Sequence, residues 1–511
     1  MKLLETRHRS PSRRMTTFRR DRVESTPAFL AGGAIVIAAS GLELSALVGA
    51  SDDFRASAPL ALTGLIAALV GVALLYRYRP SPRETPATAF ASVVLAWLVL
   101  AAISTVAYLA VGTFEQVDEA AFESVSGLST TALSVLTDPE ATPNAVLFWR
   151  ALTQWIGGLL ALWAVVAIFP ILGVGNRQTG ERYHARSRVV LRSRQTRRAL
   201  TRLTSIYLTL TAMGIVLFAA AGMNLFDAVT YAATTISSGG FSNHAGSFAH
   251  FDSALIEWAG VGGMLLAGAN LALLFRSLRG ITSGSVLRSA ELKAYLLAVV
   301  VLSIVVAFST AENGLDSTEL RHATFSVTSM VSTTGHTVTG WGAWDDGPQV
   351  LLMIAAGIGA MSGATGGGFR IARVIALSAS IRREIVRQIH PRAVRAIKLG
   401  RNGIDDDVVD RMIGYQTVYL VTVGVGALVL AATGVDLVTA VSGAVSAVAT
   451  AGPAMGDLAP GAGGASALPD ATRLALLPLM VLGRLEFSPV IVGVMTLLSA
   501  GTRRLPRRRW A

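Results

Sequence analysis

The sequence predicts an all-α polytopic membrane protein: about ten transmembrane helices with four re-entrant loops, arranged as four helix–loop–helix repeats around a common axis, plus an N-terminal helix pair. Three observations predict it. Of 511 residues, 52% are apolar and 15% charged, against roughly 25% charged in an ordinary soluble domain. Ten stretches are apolar and long enough to cross a bilayer, in keeping with a mean hydropathy of +0.54. Four of the connections between them carry one pattern of hydroxyls and glycine. The absence of cysteine excludes disulfides, thiolate catalysis and cysteine-held metal centres. The seven histidines are scattered and form no metalloprotease-type motif.

A crossing helix needs about 20 mainly apolar residues, because its backbone polar groups find no water in the hydrocarbon. The qualifying stretches are 28–50, 58–76, 87–112, 145–175, 203–223, 254–275, 294–310, 350–380, 412–433 and 474–500. The first is too long for a cleaved signal peptide and contains Glu43. Basic clusters at 1–27, 76–86, 176–202, 276–293, 370–411 and 503–509 hold 39 of the 44 Lys and Arg. Cytoplasmic loops retain such charge, so ten crossings place every cluster and both termini in the cytoplasm. Nineteen of the 32 acids, Glu123 among them, fall on the other side. The net charge of +12 is therefore topology rather than a nucleic-acid surface, and anionic lipid is the expected neighbour of the basic loops 176–202 and 381–411.

Four outer connections, 113–144, 224–253, 311–349 and 434–473, are too long and too apolar for simple loops. Within them ESVSGLSTTALS (123–134), YAATTISSGGFS (231–242), SVTSMVSTTGHT (326–337) and GAVSAVATAGPA (443–454) align without gaps on Ala132, Gly240, Gly335 and Gly452. Six residues before each anchor stands Ser126, Thr234, Ser329 or Ser446; two before stands Thr130, Ser238, Thr333 or Thr450. Small residues also serve ordinary helix packing, but four stretches in register point elsewhere. Re-entrant loops around one axis turn carbonyl oxygens inward to replace an ion's hydration shell. Glycine permits the positive φ such carbonyls need, and half-helices present their negative C-terminal ends to a cation.

These stretches, with FWRALTQWIGG (148–158), FPILGVG (169–175), SSGGFSNH (237–244), GATGGGFRIARV (363–374), AGPAMG (451–456) and LGRLEF (482–487), resemble the Trk-type potassium uptake family, the TrkH/KtrB/HKT superfamily. The resemblance covers about 28–500; the N-terminal pair and the Gly-Pro of the fourth loop are more similar to TrkH than to the shorter KtrB. It implies a fourfold pseudo-symmetric selectivity filter made of Thr130, Thr131 and Ala132; Ser238, Gly239 and Gly240; Thr333, Thr334 and Gly335; and Thr450, Ala451 and Gly452, with potassium as the transported metal ion.

Ala132 departs from the family's T-T-G, and plant relatives with serine there tend to favour sodium. A left-handed non-glycine residue costs about 1–2 kcal/mol, so a distorted first loop and weaker discrimination against Na+ are expected. His336 stands where the family more often has an aromatic residue, and its expected role is packing behind the filter.

The resemblance further implies that Gly366, Gly367 and Gly368 hinge an intramembrane gating loop, and that Arg484 lies beneath the filter as an electrostatic barrier. Consecutive glycines weaken the helix there by about 1 kcal/mol each, although close packing of small residues is the rival reading. Arg484 and Glu486 lie in mid-span but project from different helix faces, and Arg150 reads as structural.

The implied protein is no enzyme and carries no organic cofactor. It is a homodimer working with a cytoplasmic nucleotide-binding regulatory subunit of the TrkA type, since the chain lacks a G-x-G-x-x-G motif. The predicted division is a basic tail 1–27, the helix pair 28–80, pore repeats 81–176, 177–279, 280–381 and 382–502, and a basic tail 503–511. Two rivals stay open, a sodium-permeable, weakly selective transporter and a proton- or sodium-coupled symporter; the latter often has inverted repeats, whereas these four share one orientation.

Overall fold

Seventeen α-helices make up the described part of the chain, with two minimal strand pairings, Val23–Glu24 beside Tyr78–Arg79 and Lys398–Leu399 beside Asn402–Gly403. The computed structural model describes residues 23–81, 85–172, 194–278, 289–311, 316–391, 397–399, 402–403 and 406–502. Residues 1–22 of the N-terminal basic tail, the tail 503–511 and most of the basic loop 176–202 lie outside the described residues.

Helices α1 (Thr26–Gly49) and α2 (Phe54–Arg77) form the N-terminal pair, capped by the side chains of Ser25 and Asp53. Four units follow. The first is α3 (Pro86–Val111), α4 (Val117–Ser129) and α5 (Asn144–Leu172). The second is α6 (Arg194–Ala221), α7 (Leu225–Ile236), α8 (Ala254–Ala267) and α9 (Leu271–Leu278). The third is α10 (Ala290–Thr310), α11 (Ser317–Val331), α12 (Asp346–Ile358) and α13 (Ile371–Ile389). The fourth is α14 (Asp406–Ala432), α15 (Leu437–Ala449), α16 (Asp470–Leu485) and α17 (Phe487–Thr502). Neighbouring units pack together, and α16 against α4 with α17 against α3 brings the fourth unit back onto the first.

The burial pattern inverts that of a soluble protein. Leu62, Leu65 and Leu69 on α2, Leu297 and Phe308 on α10, and Leu420 and Leu428 on α14 are exposed, whereas serines and threonines of α4, α7, α11 and α15 are buried. Hydrocarbon solvates the outer faces as well as it would a neighbouring leucine, so small and hydroxyl residues carry the helix contacts.

Among the described residues seven helices are continuous, apolar and long enough to span. The other three predicted spans are each broken. The 254–275 stretch stops at Gly268, and Asn270 restarts it by accepting a hydrogen bond from the Leu273 N–H at 3.0 Å. The 350–380 stretch opens into the loop 359–370, as its glycines predict. The 474–500 stretch bends by 110° at Glu486, whose φ is +64°.

Candidate functional site

The short helices α4, α7, α11 and α15 have 13, 12, 15 and 13 residues. At 1.5 Å per residue each is roughly 20 Å long, short of the hydrocarbon thickness. All four end in one way. In α4 the Thr130 N–H donates to Gly127 O and the Thr131 N–H to Ser126 O, both at 2.9 Å. The same pair of bonds closes α7 through Ser238 and Gly239, α11 through Thr333 and Thr334, and α15 through Thr450 and Ala451. This is the Schellman termination. Its left-handed residue is a hydroxyl residue each time: Thr130 (φ 54°), Ser238 (55°), Thr333 (55°) and Thr450 (52°). The hydroxyl aligned two residues before each anchor thus marks the helix stop.

Two residues on, the anchors also take positive φ: 68° at Ala132, 80° at Gly240, 85° at Gly335 and 87° at Gly452. The expected distortion of the first loop is absent; alanine follows the glycine path. The anchors meet in a ring. A β-carbon on Gly240 would lie 2.0 Å from the Thr334 carbonyl oxygen, one on Gly335 2.6 Å from that of Ala451, and one on Gly452 2.7 Å from that of Thr131. Those three β-carbons would lie 2.9, 3.1 and 2.7 Å from the Ala132 methyl. The ring therefore has room for one methyl, and Ala132 supplies it.

Within this ring the carbonyls of Thr130, Thr131, Ala132, Ser238, Gly240, Thr333, Thr334, Gly335, Thr450 and Ala451 accept no hydrogen bond from any described residue. Gly239 O accepts from Gln154 Nε2 at 2.8 Å, and Gly452 O from the Ser446 hydroxyl at 2.5 Å. The hydroxyls of Thr130 and Thr450 are buried without a partner among the described residues. Four helix C-termini, each a partial negative charge, thus surround a cluster of unengaged oxygens.

The loop 359–370 lies against the C-terminal ends of α7, α11 and α15. The Gly367 N–H donates to Thr333 Oγ1 at 2.6 Å, and the hydroxyls of Thr365 and Ser238 are 2.8 Å apart. A β-carbon on Gly366 would meet Ser332 O at 2.3 Å, and one on Gly367 would meet Ala449 O at 2.2 Å. These two glycines permit contact with the filter helices, while Gly368 takes the positive φ of 79°. The break in α8–α9 lies alongside. Met361 N–H donates to Gly268 O (3.0 Å), Thr365 N–H to Ala267 O (3.3 Å), Leu271 N–H to Gly363 O (3.2 Å) and Asn270 Nδ2 to Ser362 O (2.5 Å). Two interrupted helices satisfy each other's freed backbone groups, which membrane depth demands.

Arg484 is buried and donates to Thr365 O at 2.8 Å; its Nε and Nη2 have no partner among the described residues. It does not pair with Glu486, which accepts from Arg373 Nη2 at 2.9 Å. Arg373 in turn lies 3.7 Å from the centre of the Tyr415 ring.

A sequence profile of TrkH, described as a cation transport protein, matches residues 60–502. The chain belongs to the TrkH family. Similar relatives include the Trk system potassium uptake protein TrkH of Halomonas elongata, 35% identical over 73% of this chain and 78% of its own. That of Salmonella typhimurium is 33% identical over 90% of this chain and 96% of its own. The crystal structure of the potassium transporter TrkH from Vibrio parahaemolyticus superposes with a TM-score of 0.81 at 29% identity, covering 93% of this chain and 98% of that one.

In this TrkH-family chain the twelve residues expected at the filter come together on four loops; Gly366 and Gly367 touch the ends of the helices that carry them, Gly368 packs on Gly359, and Arg484 reaches the same loop through Thr365 O. The bracing residues escaped sequence reading. Arg150 does pack structurally, but with Glu123, which topology assigned to the outer face: both are buried and 2.7 Å apart, and Glu123 also accepts from the Ser134 hydroxyl and the Val135 N–H. Gln154 holds the second loop through Gly239 and Phe241. His336 packs behind the filter, stacked on Tyr231 with its Nε2 3.1 Å from Thr235 Oγ1. The signal available for Glu123 and Gln154 was a charged or amide residue inside an otherwise apolar, hydroxyl-rich stretch.

Proposed function

We propose that the chain takes up potassium ions across the cell membrane, the inner or plasma membrane, through a gated, channel-like pore whose filter is Thr130–Ala132, Ser238–Gly240, Thr333–Gly335 and Thr450–Gly452. The observation that carries this reading is the ring at the ends of four buried helices, in which ten of the twelve filter carbonyls accept no hydrogen bond from a described residue. A dehydrated cation needs such oxygens, and it supplies the partner that the Thr130 and Thr450 hydroxyls lack among the described residues. The relatives named as potassium uptake proteins support K+ as the ion. Loop 359–370 is the gate beneath the filter, and Arg484 adds a positive barrier to it in the closed state. The working unit is a homodimer with both termini cytoplasmic, beside anionic lipid, controlled by a nucleotide-binding subunit of the TrkA type.

The test is potassium and sodium flux into vesicles holding the purified chain, with and without that subunit. Potassium flux exceeding sodium flux is expected; no potassium flux under either condition overturns the reading. Arg484→Ala is expected to raise flux without the subunit, and unchanged conductance and open probability would remove Arg484 from the gate.

A second reading, a sodium-permeable and weakly selective pore, rests on the Ala132 methyl. It occupies space at the anchor ring that glycine leaves open. Ala132→Gly is expected to raise the ratio of potassium to sodium flux. An identical ratio in parent and variant sinks that role for Ala132.

A further inference from the structure

We propose that the segments leaving the first two filter loops build a site for a divalent transition metal of the zinc class, held by Glu140, His244 and His250. Histidines scattered in the sequence meet here in space. Glu140 lies between the first filter loop and α5, His244 is in the segment after Gly240, and His250 is on the short 3₁₀ turn Ser247–Phe251. One ligand atom from each falls within 4.8 Å of the others.

His244 carries the argument. Its Nδ1 is buried, has no hydrogen-bond partner among the described residues and lies 3.9 Å from Glu140 Oε1. Its other nitrogen, Nε2, is 3.2 Å from Asp227 Oδ2. Asp227 is itself fixed, accepting from Asn243 Nδ2 at 2.8 Å and Asn224 Nδ2 at 2.7 Å. A carboxylate accepting the N–H on one side of an imidazole leaves the lone pair free on the other, the arrangement that orients metal-binding histidines. The main chain of His244 is held as well, through hydrogen bonds of its N–H and its carbonyl with the Ser242 hydroxyl. The Ala245 N–H fixes Glu140 by donating to Oε1 at 2.8 Å.

The distances suit a tetrahedral ion. Bonds of about 2.0–2.1 Å place neighbouring ligand atoms roughly 3.3 Å apart, so the His244–Glu140 separation closes by well under 1 Å. His250 must turn. Its ring stacks on that of His244 with centroids 3.6 Å apart and planes 2° from parallel, and parallel rings cannot both direct an in-plane lone pair at one ion. His250 is exposed and has room to rotate. Two imidazoles and one carboxylate select zinc-class ions over magnesium or calcium, which prefer all-oxygen sites. A fourth position stays open to water. The bound ion would tie the return segment of the first loop to that of the second.

The test is direct metal binding by the purified full chain, freed of any affinity tag, with zinc chloride in equilibrium dialysis and cobalt(II) as the spectroscopic probe. One ion per chain at micromolar metal, with the intense visible bands of tetrahedral cobalt, is expected. His250→Ala and Glu140→Gln change exposed positions, and each should weaken binding at least tenfold while the size-exclusion profile stays that of the parent. Asp227→Asn should weaken it about 10- to 100-fold by releasing the His244 ring. Absence of stoichiometric binding by the parent, or unchanged binding in His250→Ala or Glu140→Gln, overturns the site. The measurement needs no transport assay, so it fails or succeeds independently of the proposed function.

Discussion

The loop after α4 follows the same backbone path as those after α7, α11 and α15, yet it carries alanine where they carry glycine. The left-handed turn two residues earlier falls on threonine or serine in all four loops, within 3° of one value. Helix termination therefore sets the path, and side-chain size enters only at the anchor. There, φ alone does not demand glycine, since Ala132 adopts 68°. Space demands it at the other three, where a β-carbon would strike a neighbouring carbonyl oxygen. The loops diverge in what braces them from behind: Glu123 with Arg150 in the first, Gln154 in the second, the Ser329 hydroxyl on His336 O in the third and the Ser446 hydroxyl on Gly452 O in the fourth. Pseudo-symmetry resides in the backbone and not in its supports.

Three substitutions probe that contrast. The largest loss is expected from Glu123→Ala, which strands Arg150 as an uncompensated buried charge, at about 3–5 kcal/mol. A lowered unfolding midpoint of the detergent-purified protein is the readout, and a midpoint equal to the parent's would show the first loop does not depend on this pair. Gly240→Ala combines the left-handed penalty with overpacking against Thr334 O, together about 2–5 kcal/mol. Loss of ion flux with reduced stability is expected; a functional Gly240→Ala would mean the second loop tolerates a methyl as the first does, and the distinction between them would collapse. The smallest effect belongs to Ser446→Ala, which removes one hydrogen bond to Gly452 O, worth about 1 kcal/mol. A change in midpoint too small to resolve would show that the fourth loop stands without its brace.

Hydropathy and charge revealed the seven continuous helices, the N-terminal pair among them, because hydrocarbon imposes length and composition on any segment crossing it. The ring of four loops was legible for a related reason: each helix stop falls on a hydroxyl residue two positions before the anchor. The breaks at Gly268 and Glu486 were not legible. Both lie inside apolar stretches of full span length, and each depends on a distant segment: Met361 and Thr365 bond the carbonyls freed at the first, and Arg373 pairs with the Glu486 carboxylate at the second. Glu123 was read as an outward acid for the same reason; its partner Arg150 lies on another helix. Long-range pairing leaves no local pattern.

The hydrogen bonds between the α8–α9 break and the loop 359–370 have a consequence for solvent. Any displacement of that loop uncovers carbonyls at Ala267, Gly268, Ser362 and Gly363 together with amides at Met361, Thr365 and Leu271, in a region where only water can take the vacated places. Moving the loop and hydrating these backbone groups are thus a single event, and the energy of any such displacement is in large part an energy of hydration.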